Sequence, residues 1–85
     1  MPMIYYVYIL QSLADESYYI GFSGDLEERV RKHINAQTGY TSRKKPWILV
    51  YSESFNNKNS AIRREQFLKK QKSRDFIERL ISGRI

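Results

Sequence analysis

The sequence has no cysteine, a single histidine, two prolines and four glycines among 85 residues. Without cysteine there is no disulfide staple and no thiolate metal site. One histidine leaves almost nothing for a nitrogen-ligated metal. A hard cation held by carboxylate oxygen stays open. So little proline and glycine excludes collagen-like repeats and low-complexity linkers. No apolar run approaches the roughly 18 residues that span a bilayer, so no membrane partner is expected. The opening Met1-Pro2-Met3-Ile4-Tyr5-Tyr6 lacks a basic stretch and a small-residue cleavage site, which argues against a secretory signal. The expected compartment is the cytoplasm.

What is present suits an ordinary globular fold, with 41% hydrophobic and 28% charged residues. One domain over residues 1–85 is expected. The charge is lopsided: 15 Lys and Arg stand against 9 Asp and Glu, a net of +6. Residues 1–22 hold two acids and no base, residues 23–57 six bases and four acids, and residues 58–85 nine bases and three acids. A C-terminal third this basic points to a polyanionic partner, most often nucleic acid.

Ile4 to Leu10 is β-branched and aromatic, too short for a helix, and reads as a strand covered on both faces. Asp15-Glu16-Ser17 is turn chemistry, and Tyr18 to Phe22 is a second strand, making a hairpin. Asp25 caps a helix, and Glu28 three positions on completes a capping-box pattern. Leu26, Val30 and Ile34 then form its apolar stripe, and the helix should fade before Gly39. Residues 37–46 read as a polar, basic loop, and Trp47 to Ser54 as a third strand. Asn57 or Ser60 caps a second helix over about 58–70. Ser73 caps a third, with Phe76, Ile77, Leu80 and Ile81 as its buried face. The order ββαβαα predicts an α+β fold, a three-stranded and mainly antiparallel sheet flanked by helices.

Four features carry chemistry, each beside a plainer explanation. Tyr8 and Tyr19 lie on neighbouring strands, where their phenols could converge; strands also favour tyrosine in general. Arg29 and His33, at i and i+4, emerge at the margin of the first helix's stripe, as a snorkelling arginine and a boundary histidine would. Glu65 falls in the middle of the apolar face set by Ala61, Ile62 and Leu68. A carboxylate there is costly unless it is paired or binds a metal, and Mg²⁺ needs few protein ligands because it keeps several waters. Basic segments with interleaved aromatics, Arg43-Lys44-Lys45 before Trp47, then Arg63, Arg64, Lys69, Lys70 and Lys72, suit phosphate contacts as well as a solvated helix face. Together these are the parts for phosphodiester cleavage.

Tyr6-Val7-Tyr8, ten intervening residues, then Tyr19-Ile20-Gly21 resembles the two-part signature of the GIY-YIG nuclease family. The run from Gly21 through Asp25, Arg29 and His33 is similar to that family's loop and first helix. Tyr40-Thr41, Pro46 and Ala61-Ile62-Arg63-Arg64-Glu65 resemble its small stand-alone bacterial members. The resemblance spans about residues 4–81 and implies the same three-stranded antiparallel fold. It implies a DNA endonuclease with a single Mg²⁺ or Mn²⁺ ion. By motif position, Tyr8 would be the general base and Tyr19 would orient water or phosphate. Arg29 would steady the phosphate charge, His33 would assist proton transfer, and Glu65 would hold the metal. Gly21 would let the backbone pass close to the site.

Two readings follow. One is an endonuclease with little sequence preference that selects DNA structure in repair or recombination, as a monomer or homodimer, with a protein partner as one source of specificity. The other is a non-catalytic module that holds DNA or RNA on its basic face. RNA processing is a third, weaker reading.

Overall fold

A computed structural model describes residues 3–37 and 39–83. Met1, Pro2, Thr38, Arg84 and Ile85, and the side chains of Tyr40 and Thr41, lie outside the described residues. Strands β1 (Tyr5–Ser12) and β2 (Tyr18–Ser23) precede helix α1 (Leu26–Ile34). A single turn, α2 (Tyr40–Arg43), leads into β3 (Trp47–Phe55), and helices α3 (Lys58–Gln71) and α4 (Arg74–Ser82) follow. The expected ββαβαα order holds, with α2 inserted in the stretch that reads as loop. The sheet runs β2-β1-β3, and both pairings are antiparallel. A bulge shifts the β1–β3 register between Ile9 and Leu10.

The middle strand is buried on both faces, as its unbroken apolar run predicts. Val7 and Ile9 pack with Ala61, Leu68, Ile77 and Leu80 of α3 and α4. Tyr8 and Leu10 pack on the other face with Trp47, Tyr19 and the α1 residues Leu26 and Val30. The hairpin is locked by the buried Ser12 hydroxyl. It donates to the Lys44 carbonyl at 2.6 Å and accepts from the Ala14 and Asp15 amides at 3.1 and 3.3 Å. Lys44 closes the same corner, its ammonium 2.7 Å from Asp15, and this holds the Asp15 carboxyl well below the usual carboxylate range.

Three caps set the helix starts. Asp25 accepts from the Glu28 amide at 3.1 Å, Asn57 from the Ser60 amide at 2.8 Å and Ser73 from the Phe76 amide at 3.2 Å. Each is worth about 1 kcal/mol. Asn57, not Ser60, is therefore the cap of α3. Glu28 does not return the capping-box bond; its carboxylate takes Arg31 at 3.0 Å instead.

Helix α1 departs from the sequence pattern at its end. Leu26 and Val30 face the core as expected, but Ile34 is 46% exposed. His33 is the buried residue of this helix. Seven residues make about two turns and bring His33 back under Leu26, whereas Ile34 lies further round the helix; the imidazole therefore faces the sheet, its ring tilted against that of Tyr19.

Candidate active site

A cleft of about 460 Å³ opens where β2 ends the sheet. It draws Tyr5 and Phe22 from the α3 side and Tyr8 and Tyr19 from the α1 side. Arg29 of α1 and Lys58 and Glu65 of α3 complete its charged lining. Because β2 is an edge strand, groups from both faces meet around it.

Tyr8 is the anchor. It is 1% exposed, and its hydroxyl lies 3.2 Å from His33 Nε2. Strand pairing places Tyr8 opposite Gly21, and the phenol lies directly over that glycine. A Cβ on Gly21 would stand 2.6 Å from the Tyr8 hydroxyl oxygen and 2.7 Å from its Cζ. The glycine is thus a space requirement rather than a torsional one, since its backbone is not left-handed. Burial, with Tyr19 and Glu65 adding to it, pushes the Tyr8 phenol well above its ordinary pKa; Arg29 opposes them. The phenol therefore holds its proton at neutral pH.

His33 fills the space between the two tyrosines. Its ring centroid is 4.5 Å from that of Tyr19 and 6.1 Å from that of Tyr8. Tyr19 in turn meets Trp47 edge-on at 6.2 Å. Burial and then the Arg29 charge lower the His33 pKa, which keeps the imidazole neutral at pH 7. With the proton on Nδ1, Nε2 is an acceptor for the Tyr8 hydroxyl. Tyr8, Tyr19 and His33 thus meet at one place, with Arg29 lining the same cleft; His33 is buried there and not at the margin of the core.

Glu65 occupies the place expected on α3. Its side chain is 15% exposed and lines the cleft. Lys69 approaches its carboxylate at only 3.6 Å and is itself largely in solvent, a weak pair that leaves the oxygens available. No group of three or more His, Cys, Asp or Glu that could hold a metal is present among the described residues. One carboxylate in a water-accessible cleft fits a hard divalent ion that keeps most of its hydration, and fits poorly a metal that needs several protein ligands.

The eight basic residues singled out from the sequence are scattered. None of Arg43, Lys44, Lys45, Arg63, Arg64, Lys69, Lys70 and Lys72 lines the cleft. Arg64 is engaged within the fold: its guanidinium makes three bonds of 3.0–3.1 Å to Glu53 and lies 5.4 Å from the Phe67 ring centre. Tyr51 donates to the same carboxylate. Lys44 is tied to Asp15, whereas Arg63 and Lys70 are exposed. Lys72 ends α3 in the left-handed conformation.

The cleft cation that sequence reasoning missed is Lys58. It is the first residue of α3 and looks like any exposed lysine beside a cap. Its spacing held the clue: Lys58 precedes Glu65 by seven positions, and two turns place both on one helix face.

Among the described residues no helix is long and apolar enough to cross a membrane. The chain is 41% identical over 66 residues to a UPF0213 protein of Staphylococcus saprophyticus, covering 76% of this chain and 79% of that one. It is 39% identical over 83 residues to a UPF0213 protein of Natronomonas pharaonis, covering 96% and 95%. The solution NMR structure of a UPF0213 protein from Bacillus halodurans superposes with a TM-score of 0.58 at 37% identity, covering 94% of this chain and 84% of that one. Residues 4–78 match the GIY-YIG catalytic domain. With the tyrosine pair, the Arg-His helix and the lone glutamate gathered at one cleft, this chain belongs to the GIY-YIG family, among its small UPF0213 proteins.

Proposed function

We propose that this chain is a metal-dependent endonuclease that hydrolyses phosphodiester bonds in DNA with little sequence preference, selecting DNA structure rather than sequence. The observation that carries the reading is the convergence of Tyr8, Tyr19, Arg29 and Glu65, drawn from four elements, on one water-accessible cleft, with buried His33 bonded to the Tyr8 hydroxyl behind it.

A standing phenolate is a poor starting point. A free phenol costs about 4 kcal/mol to ionise at pH 7, at roughly 1.36 kcal/mol per pKa unit, and burial raises that cost for Tyr8. The bond to neutral His33 supplies a different route. Water attacks phosphorus and gives its proton to the Tyr8 oxygen, while the Tyr8 proton moves to His33 Nε2. The phosphorus–oxygen bond to the leaving group breaks, and that oxygen takes a proton from solvent. Tyr8 remains a neutral phenol before and after the step, and the positive charge ends on His33. Tyr19 keeps the imidazole in place through a tilted ring contact. Arg29 offsets the charge that builds on the phosphate oxygens. Glu65 would hold Mg²⁺ or Mn²⁺. Such an ion, when bound, polarises the phosphate and lowers the pKa of water.

The test is a supercoiled-plasmid nicking assay with Mg²⁺ or Mn²⁺, beside Glu65→Gln and an EDTA control. Wild type should nick while the other two samples do not. If all three bind the plasmid and none cuts it, the nuclease reading is wrong, and Glu65 is a structural carboxylate in a nucleic-acid-binding module.

A further inference from the structure

Lys58 stands apart from most lysines of this chain. It lines the cleft together with Arg29 and Glu65, yet no acid pairs with it among the described residues.

Its place on α3 defines what it reaches. Lys58 and Glu65 share a face and are separated by seven residues, or about 10 Å along the axis. Both side chains lean toward the N-terminal end of the helix, so their head groups stay about as far apart as their backbones. The ammonium thus stands two turns from the Glu65 carboxylate along the same wall of the cleft. At about 460 Å³ the cleft has the volume of roughly fifteen waters at about 30 Å³ each, more than one phosphate group fills. Arg29 comes from the opposite wall, on α1, and its charge reaches Tyr8 and His33. The two cations therefore serve different places, with Arg29 beside the tyrosine–histidine pair and Lys58 at the far end of the α3 wall.

The geometry points to a second phosphate subsite: Lys58 binds the phosphodiester next to the one that is cut, so the preferred substrate is an internal linkage with a charged phosphate on the Lys58 side. This deepens the nuclease reading and rests on it. Lys58 is a substrate-positioning residue with no part in proton transfer. It follows that a linkage lacking that neighbour, as at one end of a strand, is a poor substrate. A lysine suits the task, since it offers a flexible point charge to a mobile backbone, where a rigid bidentate fork is not needed.

The experiment uses the whole chain and a short single-stranded DNA in which one phosphate at a time is replaced by a neutral methylphosphonate. Affinity is read by fluorescence anisotropy in EDTA, so the contact is measured whether or not the strand can be cut. Wild type should lose affinity several-fold when one particular linkage is neutral. Lys58→Met should lose a similar amount on the unmodified strand and show no further loss at that linkage. Its salt dependence should fall by about 0.7 in log–log slope, the share of one single-strand contact. Lys58→Arg should restore the sensitivity, and Lys32→Met, an exposed lysine on α1 away from the cleft, should lose no sensitivity at any single linkage. Where cleavage occurs, the Lys58→Met defect should fall on KM and leave kcat near wild type. The subsite is refuted if Lys58→Met remains sensitive to every neutral linkage, or if it binds as tightly as wild type. Loss of cutting with the linkage-specific coupling intact would refute the nuclease reading and keep the phosphate contact.

Discussion

Replacing Gly21 by alanine isolates one steric relation at the centre of the cleft. The added Cβ would meet the Tyr8 hydroxyl oxygen at 2.6 Å, its Cζ at 2.7 Å and Tyr19 Cε1 at 3.3 Å. Ordinary contact begins near 3.4 Å, so the phenol must retreat by about 0.8 Å or the strand must shift. Tyr8 has little freedom, being 1% exposed and bonded to His33. Overpacking of this kind costs about 1–3 kcal/mol, offset by roughly 0.4–1 kcal/mol from the stiffer unfolded chain. A net loss of about 1–2 kcal/mol lowers Tm by roughly 4–16 °C in a domain of this size. A displacement near 1 Å of a reacting group also slows catalysis by about 100-fold. Thermal denaturation followed by circular dichroism gives the first quantity, and metal-dependent nicking below the lowered Tm gives the second. Gly24→Ala is the comparison for stability, because its Cβ would meet the flexible end of Met3 at 3.3 Å and Tyr5 Cε1 at an ordinary 3.6 Å. A Gly21→Ala protein with wild-type Tm and wild-type nicking would refute the reasoning. A lowered Tm with unchanged nicking would show that the position of the Tyr8 oxygen does not govern the reaction.

Arg29→Ala should fold normally, since the side chain is exposed, and should lose about 100-fold or more in nicking rate; wild-type rates from the folded variant would remove Arg29 from the site. His33 has a lowered pKa in the fold, so the unfolded chain binds more protons as pH falls through its ordinary value. Its contribution to stability is therefore present above that value and is lost as pH drops through it. Wild-type Tm should decline below about pH 6.5, and His33→Gln should flatten that part of the profile. Arg64→Met should lower Tm more than it changes the salt dependence of DNA binding, because Glu53 would lose its cation and keep only the Tyr51 hydroxyl. Arg63→Met, on an exposed residue, should do the reverse. Equal effects from the two arginines would mean that the Glu53 pair is not structural.

The strands and the helix starts were legible because they rest on local chemistry. Aromatic and β-branched runs have few other options, and Asp25, Asn57 and Ser73 cap by bonding amides three residues away. The nearness of the two tyrosines was legible from the hairpin that pairs their strands, and the place of Glu65 from spacing along one helix. Ile34 misled because the stripe from Leu26 and Val30 continues by three to His33, seven residues after Leu26, and not by four to Ile34. The two adjacent arginines on α3 look alike in sequence, and only the placement of β3 beside the helix shows that Glu53 holds Arg64. Lys58 had one local clue, its seven-residue spacing from Glu65 on α3, but the cleft beside it forms only when α1 and β2 come together with that helix. The turn α2 escaped because four residues carry no period to detect.

The cleft closes around an edge strand, and that ties chemistry to register. Tyr8 finds room only because its partner across the hairpin is Gly21. A slip of one residue would set Ile20 or Phe22 opposite the phenol and exchange the two faces of β2. Glu65 enters the cleft from a helix that packs late in the chain, so a partly synthesised or misaligned polypeptide holds the tyrosines without the carboxylate. Strand-breaking chemistry would then be the last property the chain acquires. A fold this small would carry its own safeguard, remaining harmless to DNA until α3 is correctly seated beside the hairpin.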